Sequence, residues 1–150
     1  MAAQQVRDIL IRLRNIHERF ALSYSDYEEQ SENPRVRAAL RCMANHERKI
    51  ESWLRDHERH AAPVVLESWI QFAPGFSLDR LLHEHLAADM TPDDLLSFEV
   101  ARGQALLDLY RRLADSSSQS RVREMFDNLF HLVESKDLQF NRTLVESVDE

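Results

Sequence analysis

A tripeptide and a tyrosine recur in this chain at one fixed interval, and that interval excludes most folds. Arg-Val-Arg stands at 35–37 and again at 121–123. Tyr24 and Tyr110 are 86 residues apart, as are Val36 and Val122 (110 − 24 and 122 − 36). In each copy the tyrosine precedes a turn, and the tripeptide opens the next regular segment. A unit of that layout is a helical hairpin, so two similar hairpins joined by a long connection are expected. Strand-based alternatives need many more turn residues than two glycines and four prolines in 150 residues provide. The expected class is all-α: an antiparallel four-helix bundle, one domain over 1–150, with one long crossover.

The helices can be placed from apolar spacing and from their start and stop signals. The first runs from about Ala3 to Ser31 and buries Val6, Ile9, Leu10, Leu13, Ile16, Phe20, Tyr24 and Tyr27, with His17 on the same side. Asn33-Pro34 stops it and starts the second: asparagine caps, and proline fits the first turn, where no backbone donor is missed. The second helix continues to about His60 on the stripe Val36, Leu40, Met43, Ile50 and Leu54. Pro63, Pro74 and Gly75 leave Val64–Phe72 as an apolar strip, strand-like in composition but lacking an evident partner, and so read as a connection laid along the bundle. A short helix is expected over Leu78–Asp89, capped by Ser77. Thr91-Pro92-Asp93-Asp94 is the clearest helix start. The third long helix extends from it to about Asp115, burying Leu95, Leu96, Val100, Leu106, Leu107, Tyr110 and Leu113. The fourth covers about Arg121–Val148 and buries Val122, Met125, Phe126, Leu129, Val133, Phe140 and Leu144.

Charge narrows the range of partners. The formal net charge is −7, and Glu47, Glu51, Asp56 and Glu58 share the helix with arginines 35, 37, 41 and 48, which describes a solvated helix surface rather than a nucleic-acid face. The single cysteine, Cys42, permits no intrachain disulfide and is expected to be partly buried beside the Leu40–Met43 stripe. No apolar run approaches the ~20 residues of a membrane helix, and the first twenty residues carry charge throughout, unlike a signal peptide. A soluble cytoplasmic protein is expected, with no membrane and no nucleic acid among its partners.

Glu47 is the residue hardest to account for. It lies four after Met43 and three before Ile50, so it points where the buried stripe points. A carboxylate there must be neutralised, paired or bound to a cation, because an unpaired buried charge is very costly. His57 and His60 with Asp56 offer a possible surface metal clip, which commonly amounts to nothing more than an exposed helix face. No Gly-rich phosphate loop, nucleophile elbow or Ser/His/Asp order stands out.

NPRVRAALRCMANHERKIESWL, followed by TPDDLLSFEVARGQALLDLYRRLADSSSQSRVREMFDNLFHLVESKD, resembles the ferritin-like superfamily, and within it the rubrerythrin-like proteins. The likeness lies in apolar spacing, tyrosines and turns, and covers nearly everything except 61–76. It implies a four-helix bundle with a short extra helix in the crossover, homodimers, and a di-iron centre. That centre takes a glutamate seven before each tyrosine, and Glu-x-x-His from the second and fourth helices. Here the first pair falls on His17 and Gly103, the second-helix pair on Glu47 and Ile50, and the fourth on Val133 and Lys136. None of the seven histidines has Asp or Glu three residues before it.

The expected site is therefore a metal-free polar cluster: the Lys136 ammonium in place of the metal, paired with Glu47, helped by His17 and bracketed by Tyr24 and Tyr110. Alternatively Lys136 reaches solvent and leaves Asp137 beneath it. The function expected is that of a non-catalytic module acting through protein contacts or self-association, with no catalytic residue and no cofactor. The second reading is a metal-binding oxidoreductase or storage protein using Glu47 and His17 with Glu99, Glu134 or Asp137. A third is a small molecule in the vacated centre, where Gly103 opens space beside Tyr110. Trp69 and Phe72, in the connection, are candidates for a docking surface.

Overall fold

The computed structural model describes residues 3–71, 86 and 89–149. Within them the chain is helical apart from one small ribbon: β1 (Ala3–Gln5), α1 (Val6–Gln30), α2 (Pro34–His60), α3 (Pro63–Leu66), β2 (Trp69–Gln71), α4 (Pro92–Asp115) and α5 (Ser120–Asp149). The helix expected over Leu78–Asp89, like Phe72, lies outside the described residues, except for Leu86 and Asp89.

Local chemistry sets the helix ends. The Asn33 side chain accepts from the backbone N–H groups of Arg35 and Val36, and Pro34 occupies the first turn of α2. At α4, Thr91 Oγ1 accepts from the Asp94 amide while the Asp94 carboxylate accepts from the Thr91 amide, a reciprocal cap that satisfies two otherwise orphaned donors.

Pairings between helices give their directions. Arg14 bonds Glu58, Arg48 bonds Ser25 and Arg41 bonds Glu28, so α1 and α2 are antiparallel. Arg111 faces Asp127 and Gly103 abuts Asp137, so α4 and α5 are antiparallel too. Between hairpins, His17 meets Tyr110 and Tyr24 meets Glu99, which sets α1 against α4. Helices α2 and α4 run parallel: Leu40 lies near Leu95, and Glu47 near Arg102. One apolar core joins them all, including Leu10, Leu40, Met43, Ile50, Leu106, Phe126 and Leu129.

Four expectations about the elements and their faces need correction. The first helix begins at Val6, because Ala3–Gln5 forms a strand paired antiparallel with Trp69–Gln71. The apolar strip over 64–72 is thus not a bare connection: it opens with the helical turn α3 and continues into β2, whose partner is the N-terminal segment. The Val6 amide donating to Ser68 O at 2.9 Å fastens the ribbon to α1. Within β2, strand alternation buries Ile70 and leaves Trp69 61% exposed. Val100 is exposed, since the buried face of α4 runs through Leu95, Glu99, Arg102, Gly103, Leu106, Leu109, Tyr110 and Leu113. Cys42 is exposed, one position off the α2 stripe. Among the described residues, no helix is long and apolar enough to cross a membrane.

Candidate functional site

The middle of the core is polar. His17 of α1, Glu47 and His46 of α2, Glu99 and Arg102 of α4, and Asp137 of α5 are all buried, with Tyr24 and Tyr110 at the two sides. Each helix brings its members inward by ordinary spacing: Glu99 is four after Leu95, Arg102 four before Leu106, and Asp137 four after Val133.

Arg102 is the hub. Its Nη2 and Nε both bond Glu99 Oε1, at 2.6 and 3.1 Å. Nη1 lies 2.8 Å from Glu47 Oε1, off line for a hydrogen bond, so this contact is ionic. Asp137 Oδ1 is 3.6 Å from Nη2. The guanidinium, 1% exposed, thus sits among three carboxylates contributed by α2, α4 and α5. A planar fork with five donors suits that position, where the single point charge of an ammonium would not reach all three.

Imidazoles and phenols complete the network. His17 bridges Glu47 Oε2, at 2.6 Å from Nδ1, and the Tyr110 hydroxyl, at 3.1 Å from Nε2. His46 Nε2 lies 2.7 Å from Asp137 Oδ1, and its ring stacks on Phe140 with centroids 4.2 Å apart. Tyr24 donates to Glu99 Oε2 at 3.1 Å. Burial opposes ionisation of every acid here, and the neighbours decide the outcome. Against burial, Arg102 and the His17 bond hold the Glu47 carboxyl below its ordinary pKa. The His46 bond and Arg102 do the same for Asp137. At Glu99 burial, reinforced by the Glu47 charge, outweighs Arg102, and the pKa is raised. Burial also pushes both tyrosine phenols well up, so they serve as hydrogen-bonding groups and not as anions.

Four of the five residues expected in the cluster are brought together: His17, Glu47, Tyr24 and Tyr110. Lys136 is not. Its ammonium lies 5.3 Å from the centre of the Trp53 ring and the side chain is only half-buried, while its neighbour Asp137 points inward. With Arg102 already among the carboxylates, the flexible lysine stem reaches outward to an aromatic face instead. Of the alternative metal ligands, Glu99 and Asp137 join the cluster, but Glu134 turns toward His131 on the outer face. The space beside Gly103 is taken: a Cβ there would stand 3.1 Å from Asp137 Oδ2.

Arg102 and His46 are the members that sequence reasoning missed. A pattern built on apolar positions discards an arginine such as Arg102. Yet it sits three after Glu99 and four before Leu106, on the stripe. His46 is three after Met43 and four before Ile50, the mirror of the spacing that singled out Glu47.

A di-iron centre does not fit these residues. The guanidinium already stands among the carboxylates, and both imidazoles are engaged with acids. Among the described residues, no group of three His, Cys, Asp or Glu side chains is arranged to hold a metal ion. His57 and His60 do not form a clip: each turns Nδ1 onto the backbone carbonyl four residues earlier. Comparison with protein-family models, with curated proteins and with solved structures gives no match.

Proposed function

We propose that the chain is a ferritin-like bundle whose internal cation is an arginine rather than a pair of metal ions. On this reading it acts as a non-catalytic helical module, through protein contacts and above all through self-association. The observation that carries the reading is Arg102, fully buried and held by Glu47, Glu99 and Asp137. Two antiparallel hairpins with α2 and α4 parallel agree with a bundle that has one long crossover. Each hairpin binds the other through the cluster: His17 to Tyr110, Tyr24 to Glu99, Glu47 to Arg102 and His46 to Asp137. The cluster thereby does the bridging that a metal pair does in iron-holding bundles.

Self-association draws on what remains uncovered. Leu138 and Val145, seven apart on α5, are exposed, as are Val64 and Trp69 near the ribbon. Light scattering of protein purified without chelator, together with elemental analysis of the same sample, tests both halves of the reading. A dimer mass with only trace iron, manganese or zinc supports it. Stoichiometric metal would instead favour the oxidoreductase or storage reading, and a strict monomer would remove self-association.

A further inference from the structure

We propose that a cleft at one end of the bundle, remote from the Arg102 cluster, binds a free α-amino acid with a large apolar side chain. The cleft has a volume of about 290 Å³ and opens to solvent between the end of α2, the turn α3 and the first turns of α5. That volume is close to the lower bound of small-molecule sites. Its walls are braced without any ligand: the Ser68 hydroxyl, just past α3, donates to Gln119 Oε1, just before α5, at 2.8 Å.

The lining joins apolar surface to two opposite charges. Val65, buried, and Met125, half-buried, supply the apolar part, and His57, Arg121, Glu124 and Asn128 the polar part. Arg121 and Glu124 stand one turn apart on α5, yet they do not pair with each other. Among the described residues, the side chains of Arg121, Glu124 and Asn128 have no hydrogen-bond or ion-pair partner. His57 donates its Nδ1–H to Trp53 O at 3.2 Å, which leaves Nε2 of the neutral ring as an acceptor. A simple anion entering the cleft meets the like charge of Glu124, and a simple cation meets that of Arg121. A zwitterion meets an opposite charge at each end. Its carboxylate suits the Arg121 guanidinium fork, its ammonium suits Glu124 and His57 Nε2, and the Asn128 amide serves either. Val65 and Met125 then call for an aliphatic or aromatic side chain. The 86-residue repeat shows that a helical hairpin does not require these polar groups: the positions matching Glu124 and Asn128 in the first hairpin are Ala38 and Cys42 (124 − 86 and 128 − 86).

The test titrates the ¹⁵N-labelled full chain with L-leucine and follows the backbone amide shifts. Saturable shifts centred on His57–Val65 and Arg121–Asn128 are expected, with a Kd of about 0.1–1 mM. Glycine lacks the side chain, N-acetyl-L-leucine the ammonium and L-leucinamide the carboxylate, and each should bind at least about tenfold more weakly. Arg121→Gln and Glu124→Gln, both at exposed positions, should leave helicity unchanged and each weaken L-leucine by about tenfold. Absence of saturable shifts well above the millimolar range overturns the proposal. So does N-acetyl-L-leucine or L-leucinamide binding as tightly as L-leucine, since the cleft would then read a single charge. Shifts that both substitutions leave unchanged place the amino acid elsewhere and overturn it as well. Each of these results leaves the reading of Arg102 as the resident cation intact.

Discussion

At the scale of single residues, the cluster is asymmetric in what it tolerates. Removing one partner of a buried ion pair leaves the others uncompensated, whereas exchanging the whole set for apolar side chains need cost nothing. Arg102→Met alone is therefore expected to destabilise by about 3–5 kcal/mol, measured by urea unfolding. A loss below about 1 kcal/mol would mean that the network is not under electrostatic stress. The pH dependence follows from the directions of the shifts. Glu47 and Asp137 have depressed folded pKa values, so their contribution is complete above the ordinary carboxylate range near pH 4 and is lost as pH falls through the folded values. Glu99 is raised and works in the opposite sense: its contribution is complete below its ordinary value and is lost as pH rises through the folded one. The loss of stability in acid, below the ordinary carboxylate range, therefore belongs to Glu47 and Asp137, whereas Glu99 acts above it. Asp137→Asn should flatten that limb of a melting-temperature profile, and an unchanged slope would show that the acid sensitivity lies elsewhere.

Among the elements, caps and alternation decide more than propensity. The reciprocal cap at Thr91 is expected to be worth about 1 kcal/mol, so Thr91→Ala should lower the urea midpoint accordingly. The ribbon offers an internal contrast. Ile70 faces the core and Trp69 faces out, one residue apart on β2. Ile70→Ala should cost about 2–5 kcal/mol, while Trp69→Ala should stay within about 0.5 kcal/mol. Equal losses at the two positions would show that the ribbon does not hold the strand phase described. The N-terminal helix is shorter than its spacing predicts for a related reason. Nothing within Ala3–Gln5 distinguishes a first helical turn from a strand; its partner, more than sixty residues away, supplies the difference.

For the whole molecule, the proposal that Arg102 is the resident cation leaves the polar bridge between hairpins independent of any bound ion, so exhaustive treatment with chelator is expected to leave the melting temperature unchanged. A fall of several degrees would mean that a metal contributes to the native state. Leu138→Glu with Val145→Glu should convert any dimer built on α5 into monomer without altering helicity, as judged by light scattering and circular dichroism. Loss of helicity would assign those side chains to the fold instead.

The sequence by itself determined the four long helices, most of their ends and the pairing of neighbours. These are local properties: three- and four-residue spacing, Asn33-Pro34, the Thr91 cap, and a short link that admits only an antiparallel return. The interval of 86 showed that there were two such hairpins, and the stripe through Met43 and Ile50 placed Glu47 in the interior. Only the tertiary structure decided which cation meets it. Lys136, three after Val133 and four before Phe140, and Arg102, three after Glu99 and four before Leu106, both have inward-facing spacing, and spacing alone cannot rank them. The choice depends on the rotation of α4 against α2, and on whether a fork or a point charge can satisfy three carboxylates from three helices. That is settled by long-range packing, because the cost of an unpaired buried charge exists only once the hairpins have closed over it.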